Sequence, residues 1–169
     1  MNRRFWIPIA IFLFLALWWT LSNPPPSQQL VSTQAENFHL PEIMTGKVDS
    51  LSAYSGKVRL VVFWATWCAP CLAEIPNLIQ LQQAFGNRGF QIIAIAVESD
   101  PAEVAALVRV HPFNYPLLAA NPEVIASFGG VSSIPTSFLI NRQGVILGMI
   151  PGLVDYEEME KLILPELGG

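Results

Sequence analysis

An apolar run, Val58-Arg59-Leu60-Val61-Val62-Phe63, leads within five residues into Cys68-Ala69-Pro70-Cys71, where a helical pattern begins. These are the only two cysteines in 169 residues. Leu60 to Trp64 is too apolar to have a solvated face, so it predicts a strand covered on both sides. Leu72, Ile75, Leu78, Ile79 and Phe85 recur at helical spacing, predicting a helix from about Cys68 to Phe85 that Pro76 should kink. Two thiols three residues apart, where a buried strand gives way to a helix, point to thiol–disulfide exchange. A zinc site fits poorly, because His39 and His111 lie in unrelated segments. A c-type haem site needs His after the second cysteine, and Leu72 stands there. A purely structural bridge would close too small a loop to stabilise much.

The two cysteines call for different roles. Cys68, at the helix N-cap or first turn, faces unpaired N–H groups and the helix dipole, which favour its thiolate. It is the candidate nucleophile. Cys71, one turn on and more buried, is the candidate resolving thiol. Ala69 and Pro70 fit the first turn between them.

The remaining pattern alternates. Phe38 to Ser52 predicts a β-hairpin turning at Thr45-Gly46-Lys47. Phe90 to Val97 predicts a second buried strand. Asp100-Pro101-Ala102-Glu103 opens a helix to about Val110, with a cap, Pro at the first position and an acid at the third. Tyr115 to Leu118 suggests a short strand, and Asn121-Pro122-Glu123 opens a short helix ending at Gly129-Gly130. Thr136 to Ile140 and Val145 to Ile150 form a hairpin, and Asp155 caps a last helix to about Leu164. This order predicts an α/β fold with a mixed central sheet between helices.

Arg3 and Arg4 precede Phe5 to Leu21, which holds no charged residue. Its length is at the short end for a bilayer span. Trp18 and Trp19 suit the lipid–water interface, and the flanking charges keep the N-terminus cytoplasmic. Residues 1–22 are therefore expected to be a cytoplasmic N-terminus and single membrane anchor, residues 23–36 a Pro/Gln/Ser linker, and residues 37–169 the catalytic domain. The competing reading is a cleaved signal peptide, with Thr20 or Ser22 at the cleavage site. Either reading puts the domain outside the cytoplasm. Without Arg3 and Arg4, seven basic residues face thirteen acidic ones, a net charge of −6. Nucleic acid is excluded as a partner on that balance.

Val62-Phe63-Trp64-Ala65-Thr66-Trp67-Cys68-Ala69-Pro70-Cys71, Pro76 and Ile134-Pro135-Thr136 together resemble the thioredoxin superfamily. With the N-terminal hairpin, Leu51 to Val58, Glu74 and Phe138 to Gly144, the resemblance narrows to the membrane-anchored TlpA/ResA/CcmG-like thiol–disulfide oxidoreductases. It spans Phe38 to Leu164 and implies a thioredoxin-like fold with an N-terminal hairpin extension. It also implies a cis Ile134–Pro135 bond beside the cysteines, the Ile134 backbone being free to pair with a substrate strand. Trp67, Ala69, Pro70, Ile134 and Pro135 are then the expected substrate-binding residues, and Trp64 packs around the site. Thioredoxins carry a buried acid two residues before the equivalent of Trp64, a position that is Val62 here. The resemblance points instead to Glu98, at the second buried strand's end, as a third catalytic residue that could accept the Cys71 proton. The competing reading of Glu98 is a solvated loop carboxylate. In the family resembled an acid is common at Glu74, which leaves a redox role open, but a helix-surface glutamate there is adequately explained by the helix dipole.

The resemblance implies a protein-disulfide oxidoreductase needing no cofactor beyond the Cys68–Cys71 pair, and no metal. Its expected partners are protein thiols and disulfides, apocytochrome c among them, and a transmembrane thiol electron donor. The alternatives are an extracytoplasmic oxidant or isomerase with opposite electron flow, and a thiol-based copper-binding module.

Overall fold

The computed structural model describes residues 13–15, 17–18, 32–153 and 155–168. The expected anchor, residues 5–21, lies mostly outside them. Among the described residues no helix is long and apolar enough to cross a membrane.

Strand β1 is Thr33–Gln34, β2 His39–Pro41, β3 Val48–Ser50, β4 Val58–Trp64, β5 Phe90–Ala96, β6 Leu117–Ala119, β7 Thr136–Ile140 and β8 Val145–Pro151. Helix α1 is Ala69–Phe85, α2 Pro101–Val110, α3 Pro122–Ser127 and α4 Tyr156–Ile163. The main sheet runs β1-β8-β7-β4-β5-β6, and β2 and β3 pair separately. Strands β4, β5 and β6 are mutually parallel; β7 returns antiparallel to β4, and β8 to β7.

Every residue of β4 and β5 is buried. Side chains alternate across a strand, so each strand feeds two cores. Val58, Leu60, Val62 and Trp64, with Phe90, Ile92, Ala94 and Ala96, face α1, α2 and α4. Val61, Phe63, Ile93 and Ile95 face the opposite layer, where Phe38, Leu40, Val124 and Phe128 cover them. Phe63, Phe128 and Phe138 meet edge to face there, with ring centroids 4.8–5.8 Å apart. This two-sided cover is why the central strands read as continuous apolar runs.

Local chemistry sets the joints. Asp100 accepts from the Ala102 N–H at 2.7 Å, Asn121 from Val124 at 2.8 Å and Asp155 from Glu158 at 2.8 Å, capping α2, α3 and α4. In the β7–β8 turn, Asn141 Oδ1 accepts from the Gln143 and Val145 N–H groups. Gly144 in that turn has φ +92°, and a Cβ there would fall 2.3 Å from Gln34 Nε2. The positive φ favours glycine there, and a larger residue would also have to push the Gln34 side chain aside.

Two expectations need correction. Thr33–Gln34, assigned to the linker, is an edge strand in register with Val145 and Ile146. Main-chain pairing to the open β8 edge needs no apolar signature, so the folded domain begins earlier than residue 37. The short strand β6 starts at Leu117 rather than Tyr115; Tyr115 is instead buried edge to face against Phe113. Helix α1 spans the expected range to Phe85, with the exposed Pro76 inside it.

Candidate active site

Parallel pairing in register puts Trp64 opposite Ala96, and β7 begins opposite Phe63. Three connections therefore meet at one end of the sheet: residues 65–68 before α1, residues 97–100 before α2, and the segment entering β7.

Cys68 is the N-cap of α1 and Pro70 occupies its first turn. The Cys71 N–H donates to Cys68 Sγ at 3.3 Å, so a free helix-end donor is aimed at the sulfur. The two sulfurs form a disulfide, S–S 2.06 Å. Cys71 is 1% exposed and Cys68 5%. The ordering matches expectation, although Cys68 is nearly as sheltered as its partner. Ala69 and Pro70 are exposed beside it.

The loop carrying Trp67 is tied across the gap to the β5–α2 connection. The Thr66 N–H donates to Ser99 Oγ at 3.1 Å, and Ser99 Oγ donates to the Val97 carbonyl at 2.9 Å. Thr66 Oγ1 donates to Glu103 Oε2 at 2.5 Å. The Trp67 indole, 62% exposed, donates through Nε1 to the Glu98 carbonyl at 3.1 Å. Glu98 turns that carbonyl outward from a left-handed backbone, φ +43°.

Trp67, Val97, Glu98, Ile125, Val131, Ser132, Ser133 and Ile134 line an open recess of about 470 Å³. The Ile134–Pro135 bond is cis, as the resemblance implies. Ile134 thus shares a groove with Trp67, while Pro135 is buried and its carbonyl accepts from the Gly152 N–H at 2.8 Å.

The acid is where the two readings of the sequence diverge. The Glu98 side chain is exposed, so the expectation of a buried carboxyl at that position is not met. The loop turns Glu98 out and contributes its backbone instead. Glu74 is 3% exposed, against the expectation of a surface residue served by the helix dipole. It is three residues beyond Cys71 and therefore on the same helix face. Together with Cys71, Trp64, Phe113 and Tyr115 it lines a small void of about 10 Å³. Burial pushes the Tyr115 hydroxyl pKa up, and the Glu74 charge adds to that shift. Sequence reasoning missed Tyr115, Thr66, Ser99 and Glu103 at this site. Only the Cys71-to-Glu74 spacing was a usable signal. Among the described residues no three of His, Cys, Asp and Glu gather as a metal site.

Residues 31–149 match the AhpC/TSA family. The thiol-disulfide oxidoreductase ResA of Bacillus subtilis (strain 168) is 32% identical over 156 residues, covering 89% of this chain and 87% of that protein. The thioredoxin-like protein YneN of the same strain is 30% identical over 131 residues, covering 76% and 75%. Among solved structures, a thiol:disulfide interchange protein of the thioredoxin family from Chlorobium tepidum TLS superposes with a TM-score of 0.76. It is 34% identical and covers 81% of this chain and 97% of that one. With a thioredoxin-like sheet, a CxxC disulfide at the helix start and these relatives, the chain belongs to the AhpC/TSA family, as a thiol–disulfide oxidoreductase of the ResA type.

Proposed function

We propose that this enzyme is tethered to a membrane through residues 5–21, works outside the cytoplasm and reduces protein disulfides, those of apocytochrome c above all. It draws electrons from a transmembrane thiol carrier and needs no cofactor besides its own disulfide. The observation that carries the reading is Cys68 as the N-cap of α1, with the Cys71 N–H on its sulfur. That arrangement favours a thiolate leaving group and nucleophile at Cys68. The charge-free N-terminal stretch behind Arg3 and Arg4 supports the tether and the compartment.

In the reducing direction, the Cys68 thiolate attacks one sulfur of the partner disulfide. The partner's other sulfur leaves as a thiolate and takes up a proton. Cys71 then gives up its proton and attacks Cys68 Sγ, forming the Cys68–Cys71 disulfide and expelling the partner's second thiolate. Two electrons pass to the partner, and an incoming dithiol must return two to the enzyme. The proton on Cys71 needs an acceptor in a buried space, and the Glu74 carboxyl lining the same void is the group to hand. Trp67 and Ile134, facing each other across the open groove, would hold the partner's chain against Cys68.

The reduction potential of the Cys68/Cys71 pair tests the direction. The full-length chain in detergent is equilibrated with thiol–disulfide buffers, and free thiols are trapped. A value at or below about −250 mV supports a reductant; one near −120 mV makes the protein a disulfide-forming oxidant.

A further inference from the structure

Trp67 has two sides, and the groove described above uses one of them. The other faces a separate recess of about 380 Å³, lined by Thr66, Trp67, Glu103, Ala106, Leu107 and Val110. The four α2 residues lie at i, i+3, i+4 and i+7, a single helix face. This face is turned outward: Val104 alone on α2 is fully buried, while Ala106 and Val110 are exposed, Val110 by 74%. An exposed Val beside an exposed Trp makes an apolar patch of the kind that marks contact sites.

The one charged residue lining it is acidic. Glu103 closes one end of the recess, and Glu98 stands on the far side of Trp67. Glu103 accepts a hydrogen bond from Thr66, and among the described residues neither acid has an ion-pair partner. The domain as a whole carries a net charge of −6 once Arg3 and Arg4 are set aside. A helix-dipole role accounts for Glu103 in the first turn of α2, but not for the apolar stripe that continues from it to Val110.

We propose that this recess is a second docking surface for the partner polypeptide, selecting a segment near its reactive cysteine that carries an apolar side chain followed by Lys or Arg. The apolar side chain lies on Ala106, Leu107 and Val110, and the cation is set against Glu103. Two arguments fix the occupant. The recess adjoins the reaction groove, because Trp67 is a wall of both and neighbours Cys68 in the chain. A partner chain at about 3.3–3.6 Å per residue reaches it within a few residues of its own cysteine. Glu103, the one charged residue of the lining, favours a basic partner and disfavours an acidic one. The inference rests on the reading of Cys68 and Cys71 as an exchange pair.

The test compares two synthetic peptides of equal length, each with an internal disulfide, flanked by Leu-Lys-Lys or by Leu-Glu-Glu. The reduced full-length chain in detergent is mixed with each peptide, and with oxidised glutathione, which has no flanking segment. The expected result at low ionic strength is faster reduction of the basic peptide by about 10-fold or more. The preference should shrink at about 1 M salt, where charges are screened within about 3 Å. Val110→Lys, a change at a highly exposed position, should bring the ratio of the two rates close to unity. A wild-type ratio near unity, or a ratio that Val110→Lys leaves intact, overturns the proposal. So does a dimer that Val110→Lys converts to monomer, because the recess is then covered by a second copy. Failure to reduce any of the three disulfides would instead overturn the exchange reading beneath it, and reduction of glutathione separates the two cases.

Discussion

Replacing Glu74 by Gln tests how the proton leaves Cys71. Residues 71 and 74 are neighbours on one helix face, about 5–6 Å apart at Cβ, and both line the same small void. Two unit charges about 6 Å apart at an effective dielectric of about 20 repel by about 3 kcal/mol. A carboxylate at Glu74 and a thiolate at Cys71 therefore disfavour one another. On the proposed mechanism the carboxylate takes the proton when Cys71 attacks. Glu74→Gln keeps the shape and removes both the charge and the basic site. If electrostatic coupling alone mattered, the thiolate would become easier to form and the closing step would quicken. If the carboxylate is the proton acceptor, the step slows by about 10²-fold or more. The assay uses 5,5′-dithiobis(2-nitrobenzoate) with the reduced chain. Release of the first thionitrobenzoate reports attack by Cys68, and release of the second reports closure by Cys71. The expected outcome is an unchanged first phase and a second phase slowed by about 10²-fold near pH 7. A second phase as fast as wild type, or faster, refutes the base assignment.

Other perturbations follow from the same coordinates. Tyr115 is held neutral by burial, so its folded-state pKa lies above the unfolded value. Its contribution to stability is full below about pH 10 and is lost as pH rises beyond it, by up to about 1.4 kcal/mol per pH unit. Urea denaturation at a series of alkaline pH values should show a shallower decline for Tyr115→Phe than for wild type. Glu98→Gly relieves a left-handed backbone at φ +43° and keeps the carbonyl that Trp67 uses. It should raise stability by about 1 kcal/mol, read from the urea midpoint; a loss of stability would mean that the side chain supports the loop. Phe138→Ala empties the centre of the Phe63–Phe128–Phe138 cluster and should cost about 3–5 kcal/mol in the same assay, with the redox potential unmoved.

Periodicity and end signals made most of the elements legible. The all-apolar runs at β4 and β5 could be read because each strand is covered on both faces, and Asp100, Asn121 and Asp155 marked helix starts because their side chains cap locally. Where pairing is by backbone alone, as at Thr33–Gln34 on the β8 edge, no side-chain pattern announces it. Tyr115 lies just before the strand that starts at Leu117, its ring packed edge to face against Phe113. The resemblance pointed correctly to a cis bond before Pro135; the carboxyl buried near the cysteines is that of Glu74, while that of Glu98 is exposed.

The two acids separate what the chain by itself determined from what only the tertiary structure decided. The cysteine pair, its strand-to-helix setting and its chemistry are local: three residues of spacing and one helix end suffice, so the sequence carried them whole. Whether a carboxyl is buried depends on what other elements pack over it. Glu74 lies beneath a wall made by Trp64, Phe113 and Tyr115, which come from distant parts of the chain. Glu98 is turned to solvent by the left-handed bend at the end of β5. Burial and the shared wall of Trp67 are properties of the assembled layers, set by long-range packing and invisible to any window of sequence.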